Sequence, residues 1–190
     1  TALSKVFWDL KRRQVLVEEG NKYRFYHTTL REAVNKRLSL RERRALNYQI
    51  GKTLETMNRG RLEPVIDDLA FYFINAQDDR KGVTYGLRAA RQGSEKYANE
   101  QAIRFYKGVL GLLDNKNPKL QFDILQEVAQ IEFFAGYYDN AINHYSQSLE
   151  LKIATYAQQA DICRKIGDVY RKKPKYNEAL VCYQKGINLL

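Results

Sequence analysis

The chain is predicted to be mainly α-helical: a row of stacked helical hairpins preceded by a small β-hairpin. Two observations carry the helical part. A stripe of the form Ala-x-x-x-Tyr-x-x-x-Leu/Ile occurs three times, as Ala102/Tyr106/Leu110, Ala141/Tyr145/Leu149 and Ala179/Tyr183/Ile187, with first members 39 and then 38 residues apart. Residues at i, i+4 and i+8 share one face of a helix, and recurrence at a near-constant interval marks one supersecondary unit stacked repeatedly. The chain also has only 11 Gly and 3 Pro in 190 residues, which favours long helices with short connections. The β-hairpin rests on a third observation: near residue 15 the apolar period drops to two.

From the N-terminus, Leu3, Val6, Phe7 and Leu10 have helical spacing. Val15 and Val17, then Tyr23 and Phe25, alternate with their neighbours, and Glu19-Gly20-Asn21 supplies a tight turn between the two strands. A helix followed by a small hairpin is the second half of a winged-helix domain. Thr1 is not an initiator methionine, so the chain is expected to be an excised piece whose first half lies upstream. Thr29-Leu30-Arg31-Glu32 and Ser39-Leu40-Arg41-Glu42 are two capping boxes, each opening a helix. Met57–Pro64 is the expected linker, with Gly60 as a stop and Pro64 as a first-turn residue. Helices are expected near 65–76, 80–95, 98–113, 118–135, 138–151, 155–172 and 176–189. Asp78-Asp79, Asn115-Lys116-Asn117-Pro118, Gly136 and Pro174 mark the breaks. The expected parts are therefore 1–38, the end of a winged helix; 39–64, a connecting helix and linker; and 65–190, the repeats.

Composition narrows the class. Hydrophobic residues make up 44% and charged ones 28%, an ordinary globular mix. No apolar run approaches the ~20 residues needed to cross a bilayer, and no signal-peptide pattern opens the chain. Cys163 and Cys182 fit reduced thiols filling small spaces, and a cytoplasmic location is expected. The net charge of +10 is concentrated at the front, where residues 1–60 hold 14 Lys/Arg against 6 Asp/Glu. Such a module suits nucleic acid or an acidic surface of a neighbouring domain.

The last two hairpins resemble the tetratricopeptide consensus. Val128-Ala129, Gly136, Tyr138, Ala141, Tyr145 and Leu149 fall at its spacing, as do Ile166-Gly167, Tyr170, Tyr176, Ala179, Tyr183 and Ile187. Leu125 and Cys163 replace its first aromatic, Pro174 stands where Gly136 stands, and the period exceeds that of the family. The resemblance implies an α-α superhelix. In it the first helix of each hairpin faces a groove, here through Asp123, Gln126, Gln130, Phe133 and Phe134, then Asp161, Arg164, Asp168, Arg171 and Lys172. Asp168 stands where the family's carboxylate clamp needs Asn, so a chaperone-tail clamp is not expected.

A second resemblance covers most of residues 15–113. Tyr23-Arg24-Phe25-Tyr26-His27-Thr28-Thr29-Leu30-Arg31-Glu32-Ala33-Val34 is similar to the segment joining a winged helix to helical repeats in bacterial signalling ATPases of the STAND type. Leu69-Ala70-Phe71-Tyr72 and Asn99-Glu100-Gln101-Ala102 continue the match. The resemblance implies a non-catalytic sensor or interaction scaffold within a multidomain ATPase or transcriptional regulator. The chain itself has no G-x-x-x-x-G-K-[ST] loop.

Chemistry is sparse. No catalytic residue, metal ligand set or cofactor motif is expected. His27, at the junction, reads as a buried structural residue, and His144 as a solvated or groove-edge one. Lys5, Lys11, Arg12, Arg13, Lys22 and Arg24 lie on or beside the winged-helix elements and are the candidates for docking on another domain or on nucleic acid. The expected partner is a protein or peptide, or other domains of the same chain. The alternative is a DNA-binding regulator that uses the basic winged helix, with the repeats oligomerising or binding an effector.

Overall fold

The computed structural model describes residues 2–20, 22–114 and 116–190, and only the backbone of Ala2, Leu3 and Lys22. The turn residue Asn21, the break residue Asn115 and the side chains of Leu3 and Lys22 therefore lie outside the described residues. The chain divides into two compact units, residues 1–46 and 47–190.

The first unit holds helix α1 (Ala2–Arg12), strands β1 (Leu16–Glu19) and β2 (Lys22–Phe25), helix α2 (Thr28–Arg37) and the start of α3 (Leu40–Met57). The strands pair antiparallel, with Leu16 opposite Phe25 and Val17 opposite Arg24. Gly20, at φ +62°, supplies the left-handed backbone that the turn requires. The Phe7 and Tyr23 rings, 4.8 Å apart, tie α1 to β2.

The two capping boxes part ways. At Ser39 the box forms: the Glu42 amide donates to Ser39 Oγ at 3.2 Å, and the Ser39 amide donates to Glu42 Oε2 at 2.8 Å. At Thr29 it does not, because α2 begins at Thr28 rather than Leu30, two residues earlier than that box requires, with His27 at the N-cap and no side-chain cap bond. That places Thr29 inside the first turn, where its hydroxyl no longer precedes the exposed amides. His27 itself is exposed, its ring edge-on to Tyr26 at 4.7 Å. This corrects the expectation of a buried residue: a two-stranded ribbon and one short helix have too little bulk to enclose it.

The second unit continues α3. A 3-10 turn (Glu63–Val65) follows, with Pro64 in its first turn, and then α4 (Ile66–Asn75), α5 (Asp79–Glu95), α6 (Asn99–Leu113), α7 (Pro118–Phe134), α8 (Tyr138–Glu150), α9 (Tyr156–Lys172) and α10 (Tyr176–Ile187). From α4 onward each helix lies within two residues of its expected span. Caps explain several starts. Asp78 accepts from the amides of Arg80 and Lys81, Asn117 from that of Leu120, and Thr155 forms a capping box with Gln158.

Two apolar clusters fill the row. The first runs from Ile66 to Ile131 and includes Leu69, Phe73, Tyr106, Val109, Ile124 and Val128. The second runs from Phe122 to Val169 and includes Ala129, Ala141, Tyr145, Ile162 and Ile166. Helix α7 contributes to both, so neighbouring hairpins share a helix rather than closing separate cores. The stripe tyrosines do what the repeat requires: Tyr106 and Tyr145 are among the largest fully buried side chains. Small residues let the partner helices approach. A Cβ on Gly167 would come within 2.5 Å of the Tyr183 ring.

Candidate interaction surface

Helices α7 and α9 lie on either side of two adjoining clefts. One, of about 340 Å³, is lined by Phe122, Gln126, Ala157, Gln158, Asp161, Ile162 and Lys165. The other, of about 110 Å³, is lined by Gln130, Phe133, Tyr145, Arg164, Lys165 and Asp168. The structure thus brings together six of the sequence-predicted groove residues: Gln126, Gln130 and Phe133 from α7 with Asp161, Arg164 and Asp168 from α9. The remaining four lie outside these clefts, Asp123 among them as an exposed residue of α7. Phe134 is 74% exposed beside Phe133, with ring centroids 5.4 Å apart, while Arg171 and Lys172 are exposed at the end of α9.

Polar groups in the groove are held in place from below. Tyr145 OH donates to Gln130 Oε1 at 3.0 Å, and Gln126 Nε2 donates to Ser148 Oγ at 2.6 Å. Burial pushes the Tyr145 phenol up to about 12, assisted by the Asp161 charge. Along α9, Arg164 bridges Asp161 at 2.7 Å and Asp168 at 2.9 Å, and Arg171 lies 3.8 Å from Asp168. Tyr183 OH from α10 donates to Asp168 at 2.9 Å. Partial burial opposes ionisation of Asp161, yet bonds from Lys165 and Arg164 outweigh it and hold its carboxyl below the ordinary range. Lys172 has no partner among the described residues. The result is a charged ladder fixed on α9, facing an amide-and-aromatic wall on α7.

Lys165 is the cleft residue that the pattern did not single out. It lines both clefts, donates to Gln126 Oε1 at 3.3 Å, pairs with Asp161 at 2.9 Å and lies 5.8 Å from the Tyr145 ring centroid. Its signal was available in the repeat: Lys165 follows Ile162 by three residues, as Glu127 follows Ile124. Glu127 has the analogous place one hairpin earlier, accepting from Tyr106 OH at 2.5 Å and pairing with Arg91 at 3.1 Å. Burial and Glu127 together raise the Tyr106 phenol above its usual range.

His144 corrects a second expectation. It is buried, with Nδ1 2.6 Å from Oε2 of the fully buried Glu132. Lys107 Nζ stands 3.2 Å from the other carboxylate oxygen, close enough for an ion pair but poorly directed for a hydrogen bond. Glu132 occupies the place held by Tyr170 in the next hairpin, so a carboxylate sits where a ring would fill space. The imidazole turns inward to partner it.

The basic candidates of the first unit are partly committed. Lys11 pairs with Glu18, which raises the lysine and lowers the carboxylate through their mutual hydrogen bond. Arg24 pairs with Glu19 at 2.5 Å, and the Arg12 guanidinium lies over the Trp8 ring at 5.5 Å. Lys5 and Arg13 are exposed, and the Lys22 side chain lies outside the described residues. Among the described residues no three His, Cys, Asp or Glu side chains gather to hold a metal, and no helix is long and apolar enough to cross a membrane. Cys163 and Cys182 are free thiols, and burial pushes the Cys182 thiol up.

Fold and surface together define a helical-hairpin repeat with an accessible groove. No protein-family model matches the chain, and no curated protein matches it. Among solved structures it is similar to two crystal structures of MamA. One shares 19% identity over 78% of this chain and 73% of that chain, at a TM-score of 0.47. The other shares 14% identity over 73% of this chain and 84% of that chain, at a TM-score of 0.48. Likeness at this level carries nothing about function.

Proposed function

We propose that residues 47–190 are a protein-binding scaffold whose α7/α9 groove receives an extended segment of a partner protein. The observation that carries this reading is the pair of adjoining clefts that share Lys165. One wall offers Phe133, Gln126 and Gln130, and the other a charged ladder, so the groove presents ring faces, amides and charges within a single track. These side chains are held by Tyr145, Ser148 and Tyr183, which lowers the entropic cost of ordering them on binding. Panning the chain with a displayed library of random peptides tests the proposal. Selected peptides should lose at least tenfold in affinity for Phe133→Ala and for Lys165→Glu. Peptides that bind both variants as well as the parent would show that they sit elsewhere.

The wider setting is also a proposal: a superhelical sensor arm, with parts 1–38, 39–64 and 65–190, in a STAND-type signalling ATPase or transcriptional regulator. The junction segment Tyr23–Val34 and the basic first third support it. On this reading the exposed Lys5 and Arg13 dock the front module onto another domain. The DNA-binding alternative predicts duplex affinity that falls steeply with salt. Engagement of Lys11 and Arg24 by Glu18 and Glu19 favours the docking reading.

A further inference from the structure

The two clefts and the far end of the groove differ in how their charges are used. Inside the clefts each charge already has a partner. Arg164 spans Asp161 and Asp168, Lys165 holds Asp161 and Gln126, and Tyr183 OH donates to Asp168. A charged side chain entering there would have to break one of these contacts, so the clefts favour uncharged groups. The larger cleft offers Phe122 and Ile162 to an apolar side chain. In the smaller one Gln130 Oε1 is taken by Tyr145 OH, which leaves Gln130 Nε2 to donate to a carbonyl.

Both walls run on past the clefts, toward the C-terminal ends of α7 and α9. Gln126, Gln130 and Phe134 are spaced i, i+4 and i+8, so they share one face of α7; Lys165, Asp168 and Lys172, at i, i+3 and i+7, share one face of α9. At this end the charge is no longer balanced. Lys172 is exposed and has no partner among the described residues. Arg171 stands 3.8 Å from Asp168 with its side chain 60% exposed, a loose contact beside the tighter one that Asp168 makes with Arg164. The exposed Phe134 ring thus lies in line with a surplus of positive charge.

We propose that the partner segment is acidic at one end: an Asp or Glu side chain meets Lys172 and Arg171, next to an apolar residue on Phe133 and Phe134, while an uncharged stretch crosses the clefts. Charge complementarity names this occupant. The inference rests on the α7/α9 groove reading and adds the partner's chemistry and its direction along the groove. A charge contact at an exposed rim acts mainly on the association rate and its salt dependence. The same two cations stand in the last turn of α9, where they complement the helix dipole. The deciding readout is therefore the partner's preference rather than the stability of the chain.

Peptides selected on the whole chain from a random displayed library should carry an acidic residue beside an apolar one. Replacing that acid by Gln should weaken binding to the parent by about threefold to fivefold, through slower and less salt-dependent association. The same replacement should change nothing in the double variant Arg171→Gln, Lys172→Gln. Selection on the double variant Arg171→Glu, Lys172→Glu should return peptides with Lys or Arg at that position. A helix-end role alone would not give that reversal. Both positions are exposed, and circular dichroism would verify that the variants fold. Two results overturn this inference and leave the groove reading standing. In one, peptides weakened by Phe133→Ala and Lys165→Glu carry no acid; in the other, they keep their acid preference in both double variants. Peptides indifferent to Phe133 and Lys165 overturn the groove reading, and this inference with it.

Discussion

Residues 1–46 and 47–190 are built by different physics. None of the described residues of the first unit is buried. It is held by a four-residue ladder, the Phe7–Tyr23 ring contact and exposed ion pairs such as Lys11–Glu18, which are worth little in water. The second unit buries Leu69, Phe73, Val109, Ile124 and Tyr145 at 2% exposure or less. Stability in this chain therefore lies in contacts between neighbouring helices of the row. The first unit keeps its cations at the surface, where a neighbouring domain or another molecule can meet them.

Substitutions can break that contrast, and the largest effect is expected at the buried His144–Glu132 pair. His144→Ala should cost about 3–5 kcal/mol, because it strips the fully buried Glu132 carboxylate of its closest partner. Urea unfolding would measure it, and His144→Gln should recover part of the loss by keeping a donor. Next, Leu69→Ala should cost about 2–5 kcal/mol through transfer and cavity terms. Val34→Ala, on the half-exposed face of α2, should change stability by no more than about 0.5 kcal/mol. Equal effects at the two sites would erase the contrast.

Gly167→Ala should cost roughly 1–3 kcal/mol, since its methyl would meet the Tyr183 ring and push α9 and α10 apart. Thr155→Ala should remove about 1 kcal/mol by deleting the α9 capping box. A pH titration sharpens the same comparison. The Tyr85 and Tyr145 phenols are both pushed up to about 12, chiefly by burial, so they keep their protons longer folded than unfolded. Their contribution is fully present below the ordinary tyrosine value near 10 and is lost as pH rises from there through about 12. Replacing Tyr145 by Phe should flatten that alkaline limb.

The row of hairpins was legible in the sequence because its cause is local. Ala102, Tyr106 and Leu110 lie on one helix, and a stripe repeated at near-constant spacing states which faces meet. The helix ends were legible for the same reason, since Asn117, Pro118 and Gly136 act on their immediate neighbours. What stayed hidden depends on residues far apart in sequence. His144 finds Glu132 across two helices, with no spacing signal to announce the pair. Lys165 joins the groove because α9 lies beside α7. The Thr155 box was missed because its partner is Gln158 rather than glutamate. Thr29 misled because a two-residue shift in the helix start removed its role.

The groove reading is tested most directly by mapping amide chemical shifts of the whole chain as a library-selected peptide is added. Perturbations should concentrate in Gln126–Phe134 and Asp161–Lys172 and weaken in Lys165→Glu. Perturbations confined to residues 1–46 or to α10, with α7 and α9 unmoved, would contradict it.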